Sequence, residues 1–310
     1  MASKRHIGIE AQRSFRTNKH GMDFVALETI RELQKRDDGY HYYVFVAPGE
    51  DRCLKESDNL TIVELPTSNY LLWEQVALPR ALKKYPIELL HCTSNTAPLC
   101  CSVPLVLTLH DIIYLEPRQH RSPSLYQELG WHYRKFVVPR ILKKCKQIIT
   151  VSKFECERIR TALNIPEDRI TAIYNGFNTH FCQQTDIDTE IVKKYIPQSG
   201  YLFFLGNTDA KKNAARTLKA YSMYLAQSAI RRPLLIADLG WEHIDNLLEQ
   251  EFVPTCMHQG TLSIATFLPY TMQHLHSYTL HFAKVSAFRC SKQWLAVHRL
   301  SLATLRLCPK

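Results

Sequence analysis

Two adjacent lysines, Lys211 and Lys212, lie where a protein could hold an anion. They follow the short apolar run Tyr201–Leu205, typical of a buried strand, and Gly206, which permits a sharp turn. An apolar stripe then predicts a helix from Ala214. Free backbone N–H groups and the positive end of a helix dipole favour anions at such a connection. The alternative is an ordinary loop whose two lysines are solvated.

Further polar residues follow other predicted strands. His110 and Asp111 end the run VLTLHD, Ser152 follows the next strand, and Asn175 precedes Gly176 after another. Open α/β sheets bind ligands at the carboxyl ends of their strands, which favours a site here. Each residue also has a structural interpretation. His110 could be satisfied by its neighbours, Ser152 could cap a helix, and Asn175–Gly176 could form a turn that tolerates positive φ.

Apolar runs alternate with amphipathic segments along the first part of the chain. The predicted strands are His6–Glu10, Tyr42–Ala47, Leu60–Leu65, Ile87–His91, Leu105–His110, Gln147–Val151 and Ile170–Tyr174. The predicted helices are Phe24–Lys35, Tyr70–Lys84 with a break before Pro79, Tyr126–Lys144, and Lys153–Leu163 with a capping box from Ser152 and Glu155. Strands and helices alternating at this spacing predict a doubly wound parallel α/β sheet.

A second unit of the same type is predicted after a polar linker at 185–200. It contains the strands Tyr201–Leu205 and Pro233–Ala237 and the helix Trp241–Glu251. The domain organisation is therefore a Rossmann-like domain at 1–184, the linker, and a second domain beginning at 201–251. No G-x-G-x-x-G follows the first strand, which argues against a nicotinamide or flavin site.

The composition narrows the class of protein. The 310 residues contain no run of about 18 apolar residues, so no transmembrane helix is expected. The start, MASKRHIGIEAQ, is too short and too polar for a signal peptide. Ten cysteines without paired CxxC spacing favour reduced thiols in a cytoplasmic protein over a zinc site.

The net charge of +10 arises mostly from the end of the chain. All 29 acidic residues lie at or before Glu251, whereas 252–310 contain six Lys or Arg and no acid. Without that tail, 33 basic residues stand against 29 acidic ones, a net charge of +4. The basic balance is therefore poor support for nucleic-acid binding, which requires basic clusters on a motif.

The lysine loop resembles the opening of the donor domain in family 4 glycosyltransferases of the GT-B fold, a strand followed by G-N, an acidic turn and R-K-N. The matching residues are Gly206, Asn207, Asp209, Lys212 and Asn213. Lys211 stands where the family usually has arginine. The resemblance implies that Gly206, Lys211, Lys212 and Asn213 bind the diphosphate of a nucleotide-sugar. Lysine keeps the charge there but lacks the bidentate fork.

Other motifs extend the resemblance from about His6 to about Glu251. His20 and Gly21 lie in a loop like the family's first-strand loop, which faces the diphosphate and the acceptor. His110–Asp111 is similar to the family's "HD", whose histidine lies near the transferred sugar. Ser152 in ITVSKFE, and Asn175 and Gly176 in IYNGFN, match two more signatures. The order of these motifs along the chain carries the resemblance.

The family's most diagnostic motif, E-G-F-G-x-P-x-x-E, is absent from the amino-acid sequence. If the coding DNA is read one frame out of register, synonymous codons exist with which Phe282–His298 and the start of Arg299 can encode CEGFGIPMLEAMASGTP. The same shift from Gln259 can encode GYVVHSDLPAIYNAASAF. These matches indicate a frameshift near residues 250–259, with 252–310 an out-of-frame, truncated tail. The alternative is a divergent basic tail.

The resemblance implies a retaining glycosyltransferase of the hexosyltransferase type. It would move a sugar from a nucleotide-sugar to a saccharide or lipid-linked acceptor in cell-surface polysaccharide synthesis. Lys211, Lys212 and the helix N-terminus would receive charge from the leaving diphosphate, with no metal ion or other cofactor required. His110 would orient the sugar or acceptor, and Asp111 would hold its imidazole. Without the two glutamates the chain is expected to be impaired; the alternatives are an inactive fragment or a nucleotide-binding protein.

A cytoplasmic location is expected, at most at the inner face of the membrane. The lysines of the helix that begins at Tyr126 have two interpretations. They form a solvated face, or they make a weak peripheral contact with an anionic membrane. These lysines are Lys135, Lys143, Lys144 and Lys146.

Overall fold

A computed structural model describes residues 5–67, 69–116, 125–176, 200–206, 213–237, 239–245 and 256–259. The chain forms two compact units that divide between Asn175 and Gly176, whereas the sequence predicted a boundary at 184. Each unit is an α/β structure with a parallel sheet, as the predicted fold class required.

The first unit contains a seven-stranded parallel sheet. Its strands are β1 (Arg5–Glu10), β2 (Tyr40–Val46), β3 (Leu60–Glu64), β4 (Leu89–Cys92), β5 (Leu105–Thr108), β6 (Gln147–Thr150) and β7 (Ile170–Ala172). They lie in the order β3-β2-β1-β4-β5-β6-β7, so the chain reverses its direction of winding between β1 and β4. Ile9 pairs with Val44 of β2 and with His91 of β4. This is the topological switch point at which doubly wound sheets leave a crevice for ligands.

The helices of the first unit are close to those predicted. They are α1 (Gly21–Gln34), α2 (Tyr70–Leu72), the π-helical segment Trp73–Ala77, α3 (Leu78–Lys84), α4 (Leu125–Leu142) and α5 (Lys153–Leu163), with 3-10 turns at Ile113–Leu115 and Glu167–Arg169. The break predicted before Pro79 is a π-helical turn inside a helix that continues from Tyr70 to Lys84, since proline has no N–H to donate to the turn before it.

Helix α1 begins three residues before the predicted start at Phe24. Its N-cap is His20, whose backbone N–H donates to Oδ2 of Asp23 at 2.9 Å. The Phe24 N–H donates to the His20 carbonyl oxygen at 3.1 Å, which closes the first turn. An acid in the first turn stabilises the positive end of the helix, so Gly21 is helical rather than part of the loop.

Apolar side chains cover both faces of the first sheet. Trp73, Leu107 and Val138 belong to one buried cluster, and Ile9, Leu27 and Ile30 belong to another. Strands buried on both faces are nearly continuous in apolar residues, which explains why β4 and β5 could be identified from sequence. None of the helices in the described part of the chain is long and apolar enough to cross a membrane.

The second unit has three described parallel strands in the order β10-β9-β8. They are β8 (Leu202–Leu205), β9 (Leu234–Ala237) and β10 (Cys256–Gln259), with the helices α6 (Ala214–Gln227) and α7 (Trp241–Asp245). Leu218 and Tyr221 of α6 pack with Leu202 and Ile236 in one buried cluster. Strand β10 extends the sheet beyond residue 251, where the sequence placed the start of the tail. The rest of the tail lies outside the described residues.

Candidate functional site

Polar residues cluster at the carboxyl edge of the first sheet, beside the switch point. Glu10 ends β1, and the residues Thr93, Ser94, Asn95 and Thr96 follow β4; all five are buried. Buried polar groups are expensive unless they are hydrogen-bonded, so this edge requires a connected network.

His110 is held by the loop after β4 at two points. Its backbone N–H donates to Oδ1 of Asn95 at 2.6 Å, and its ring Nε2–H donates to the carbonyl oxygen of Thr93 at 2.9 Å. Burial lowers the pKa of the imidazole, whereas the Thr93 carbonyl and the nearby Asp111 carboxylate oppose that shift. His110 is therefore a neutral tautomer with the proton on Nε2, which leaves Nδ1 as a hydrogen-bond acceptor.

Asp111 differs from its predicted role as the partner of the imidazole. One of its carboxylate oxygens accepts a hydrogen bond from the Ile113 N–H at 3.1 Å and starts the 3-10 turn Ile113–Leu115. The ring of His110 is held by the Thr93 carbonyl instead. A short side chain such as aspartate often bonds the backbone two residues ahead, and here that local bond prevails. Asp111 acts on His110 only through its charge.

Asn95 has the backbone conformation that allows it to reach His110. Its φ is 64°, in the left-handed region that asparagine tolerates better than most residues. Its N–H donates to the Thr108 carbonyl oxygen at 3.2 Å, which ties the loop to β5. The loop after β4 is thus fixed on the neighbouring strand before it contacts His110.

Glu10 connects the two strands that flank the switch point. Its Oε1 accepts from the Gln12 N–H at 3.0 Å, and its Oε2 accepts from the Thr93 N–H at 3.2 Å. The Thr93 hydroxyl donates back to the Glu10 carbonyl oxygen at 2.8 Å. Burial raises the pKa of Glu10 to about 7, aided by the charge of Glu74 and opposed by these N–H donors and by Arg13.

A second buried acid, Glu74 of the π-helical segment, lies nearby. Its Oε1 accepts from the Thr96 hydroxyl at 2.5 Å and from the Tyr70 hydroxyl at 3.2 Å. Its Oε2 accepts from the Gln75 amide at 3.0 Å and from the Tyr133 hydroxyl of α4. Burial is the main cause of the raised pKa of this carboxyl group. Glu74 therefore joins the loop after β4 to two helices.

The loop between β1 and α1 brings positive charge to the same edge. Nε of Arg13 lies 3.5 Å from Oδ1 of Asp23, and a guanidinium nitrogen of Arg16 lies 3.8 Å from Oδ2 of that buried acid. His20 and Gly21, the predicted acceptor-loop residues, are exposed at the start of α1. The positive end of α1 therefore faces solvent at the residues that the sequence singled out.

Ser152, Asn175 and Gly176 lie farther along the sheet. Ser152 is the N-cap of α5, and its hydroxyl accepts from the Glu155 N–H at 3.1 Å. It therefore has the capping contact that its structural interpretation predicted. Asn175 is half-buried and follows β7, whereas Gly176 is exposed, with open space where a Cβ would lie. The structure brings none of these three into the described contacts of His110.

In the second unit, Gly206 directly follows the last residue of β8. Its N–H donates to the Ala237 carbonyl oxygen at 2.8 Å, and its φ is not among the positive values of the described residues. Residues 207–212 lie outside the described part of the chain, so the turn expected after Gly206 stays a prediction. Glycine is needed because a Cβ would lie 2.8 Å from the Cβ of Leu239. Asn213, with φ of 55°, is the N-cap of α6. Lys211 and Lys212 lie outside the described residues.

Several residues of this edge were missed from sequence. They are Glu10, Arg13, Glu74, Thr93 and Asn95. Glu10 carried a usable signal, since it is an acid at the end of a buried parallel strand. The other four depend on contacts between distant parts of the chain.

Solved structures share this architecture at low identity. WaaG, a glycosyltransferase involved in lipopolysaccharide biosynthesis, gives a TM-score of 0.60 at 11% identity, covering 90% of this chain and 75% of that chain. Anabaena HepE in complex with UDP and glucose gives 0.52 at 11% identity, with 88% and 72% covered. The UDP-GlcNAc 2-epimerase of Neisseria meningitidis gives 0.51 at 12% identity, with 88% and 76% covered. These likenesses show the fold.

Sequence comparison identifies the family to which the chain belongs. The O-antigen chain mannosyltransferase B of Escherichia coli is 29% identical over 169 residues, which cover 53% of this chain and 42% of the relative. The match thus spans less than half of the relative's length. The family model of Glycosyltransferase Family 4 matches residues 20–181, from the N-cap of α1 through the His110 edge. Since that is more than half of the 310 residues, the chain belongs to Glycosyltransferase Family 4.

Proposed function

We propose that the protein transfers a sugar from a nucleotide-sugar to a saccharide or lipid-linked acceptor in cell-surface polysaccharide synthesis, with retention at the anomeric carbon. The observation that carries the proposal is the family match over residues 20–181, which includes His110 after β5, at the carboxyl edge beside the switch point. Ligands of doubly wound sheets bind in that crevice. The neutral ring, with Nε2–H on the Thr93 carbonyl, would turn its Nδ1 acceptor toward a sugar hydroxyl.

The leaving group would be stabilised from the second unit. Negative charge grows on the diphosphate as the glycosidic bond breaks, and fixed donors in place before the reaction lower that barrier. Lys211, Lys212 and the N-terminus of α6 after Asn213 are the groups proposed to receive it, with no metal ion required. Gly206 would end the strand that leads into this loop.

The first donor to test is a nucleotide-mannose, because the relative from Escherichia coli is called a mannosyltransferase. The purified 310-residue chain would be incubated with GDP-mannose or UDP-glucose and a membrane extract rich in lipid-linked saccharides. Release of the nucleoside diphosphate and labelling of the acceptor fraction would be followed together. NMR of the product would give the anomeric configuration, which tests retention.

His110→Ala is expected to lower labelling by on the order of 100-fold, since a group that orients the reacting sugar contributes at that scale. His132→Ala is the matched control, because that histidine is 65% exposed on α4. Equal loss in both variants, or no loss in His110→Ala, would remove His110 from the reaction. Saturable binding of a nucleoside diphosphate without any transfer would support a nucleotide-binding protein instead.

A second candidate is a catalytically inactive, truncated product of the gene. The observation that favours it is the absence of any Asp or Glu from 252–310, where the family motif would supply two glutamates. Sequencing the coding DNA across codons 240–310 and onward tests it. A neighbouring frame that continues with E-G-F-G-x-P supports a frameshift. If the written frame is the only open one, the frameshift is wrong.

A further inference from the structure

We propose that Glu10 is a positioning residue for His110, acting through Thr93, and that the charge on Glu10 sets where the imidazole lies. None of the described contacts joins Glu10 directly to His110. It fixes the N–H side of the Thr93 residue, and the carbonyl side of the same residue holds the ring. The consequence for sugar transfer rests on the proposed function, whereas the coupling between the two side chains does not.

The first step of this connection is the hold of Glu10 on the loop after β4. The Thr93 N–H donates to Oε2 of Glu10, and the Thr93 hydroxyl donates to the Glu10 carbonyl oxygen. Both bonds are buried, so water does not compete for these donors. Thr93 is therefore tied to β1 at two points, across the gap where the direction of winding reverses.

The second step is the hold of this loop on His110. The Thr93 carbonyl accepts the ring Nε2–H at 2.9 Å, and Asn95 accepts the His110 N–H at 2.6 Å. The hydrogen bond made by one ring nitrogen decides which nitrogen carries the proton and how the ring is oriented. A displacement of Thr93 would therefore move the ring, while Asn95 keeps the backbone of His110 in place.

The charge on Glu10 matters because both of its oxygens face N–H donors. An ionised carboxylate accepts from the Gln12 N–H and the Thr93 N–H at the same time. Protonation removes the negative charge and uses one lone pair of one oxygen, which weakens at least one of these bonds. Burial, which raises the pKa of Glu10 to about 7, puts this change near neutral pH.

Other ionisable groups face both ends of the connection. Arg13 from the loop after β1 and Glu74 from the π-helical segment act on Glu10 with opposite signs. Cys92 of β4 and Tyr70 of α2 also lie within the electrostatic reach of Glu10, and burial keeps both neutral by raising the pKa of each. Cys92 and Tyr70 therefore stay uncharged near pH 7, which leaves the two buried acids, Glu10 and Glu74, as the members of this group whose charge can change.

His110 faces a separate set of groups. His91 of β4 is a neighbour whose own pKa is lowered to about 4 by burial and by His110. Asp111 and Asp23 favour the charged imidazole, whereas Arg13 and burial oppose it. Since the pKa of His110 is lowered, its ring is neutral above pH 7. An NMR signal of this ring that changes near pH 7 therefore reports the titration of a neighbouring group.

The test is a pH titration of the 15N-labelled, full 310-residue chain by NMR. The ring nitrogens of His110, assigned from their loss in His110→Gln, would be followed from pH 6 to 8.5. We expect the Nε2 chemical shift of the wild type to change with a midpoint near pH 7. The change should be smaller than the one that protonation of the ring would cause. Glu10→Gln should abolish the change, and Glu10→Asp should keep it at a displaced midpoint.

Glu88→Gln is the matched control. Glu88 also uses a carboxylate to bridge β1 and β4, by accepting from the His6 N–H at 3.1 Å, but at the opposite end of the strands. Its variant should titrate like the wild type. The proposal is overturned if the wild-type resonance is constant over this range, or if Glu10→Gln retains the same midpoint. A failure of Glu10→Gln to fold leaves the wild type and Glu10→Asp to decide.

A chain that transfers sugar offers a second readout. Glu10→Gln should lower kcat by on the order of 10- to 100-fold and leave KM for the donor within about twofold, because a misplaced ring weakens the reaction more than binding. The wild-type kcat should rise with pH through about 7, and that of Glu10→Gln should stay flat. Transfer without this pH dependence would refute the positioning role and leave the proposed function intact.

Discussion

The carboxyl edge of the first sheet and the connection between β8 and α6 in the second unit place polar groups at strand ends in different ways. At the first edge, side chains hold one another: Glu10 holds Thr93, which holds His110. At the second, the described contacts are made to backbone carbonyl oxygens. The Gly206 N–H bonds the Ala237 carbonyl, and the N–H and hydroxyl of Thr217 donate to the Asn213 carbonyl.

This difference decides how each region responds to substitution. A side-chain network in a buried setting loses several bonds when one member is removed, and its acids and histidines make it sensitive to pH. A backbone connection depends on the conformations that each residue tolerates and on close packing. The first region should therefore fail through lost partners or altered charge, and the second through strained φ or lack of space.

Removal of Glu74 is the strongest test of the network. Glu74→Ala takes away the acceptor shared by Tyr70, Thr96, Gln75 and Tyr133. We expect the free energy of unfolding to fall by about 3–5 kcal/mol, as when a buried pair loses one partner. Urea unfolding measures it.

An exposed acid on the same sheet is the control for that experiment. Glu64 of β3 pairs with Arg52 near the surface, so Glu64→Ala should cost less than about 1 kcal/mol. Similar losses for the two alanine variants would mean that the buried network contributes no more than a surface ion pair. The contrast between the two regions would then lose its basis.

A second test uses pH to act on the first region through His91. Burial and the nearby His110 lower the pKa of His91 from 6.5 to about 4, and its Nε2 lies 2.8 Å from the Thr108 hydroxyl. The unfolded chain binds a proton below pH 6.5 that the folded chain does not bind until about pH 4. Stability from neutral His91 is therefore present above 6.5 and is lost as the pH falls to 4, by about 3 kcal/mol.

His91→Gln isolates this contribution. The difference in unfolding free energy between wild type and variant should shrink by about 3 kcal/mol between pH 7 and pH 4, since the variant lacks the titrating ring. Glu10 acts in the opposite direction, because its raised pKa makes stability fall as the pH rises from 4.5 to about 7. Glu10 is present in both proteins and largely cancels in the difference. A difference that does not change with pH would contradict a buried, neutral His91.

The sequence predicted the location of the first site better than its bonding. Alternating apolar runs gave the parallel sheet, and parallel strands bring their carboxyl ends to one edge, so His110 could be placed there. The partner of its ring could not be found in this way. Asp111 is adjacent in sequence, but the bond goes to Thr93, on a different strand end. Hydrogen bonds between distant segments depend on register and loop conformation.

The same limit applies to the glycine and the asparagine that flank the connection in the second unit. The sequence marked Gly206 and Asn213 as members of a strand–loop–helix connection, and both lie at the ends of its described parts. It assigned Gly206 to a turn, since a missing Cβ permits either positive φ or close packing. The close approach of Leu239 could not be predicted, because it depends on how β9 pairs with β8.

The smallest expected change in stability comes from exchanging the cap residues of two helices, one in each unit. Ser152 caps α5 from extended backbone and accepts the Glu155 N–H, whereas Asn213 begins α6 in the left-handed region without a side-chain cap bond. Ser152→Asn should be nearly neutral, because asparagine caps from extended backbone about as well as serine. Asn213→Ser should lower the free energy of unfolding by about 1 kcal/mol, since serine tolerates left-handed backbone less well.

Urea unfolding of the two variants measures both changes. If the side chain were the important part of both caps, both exchanges would be neutral. A loss confined to Asn213→Ser would show that backbone conformation governs the second region.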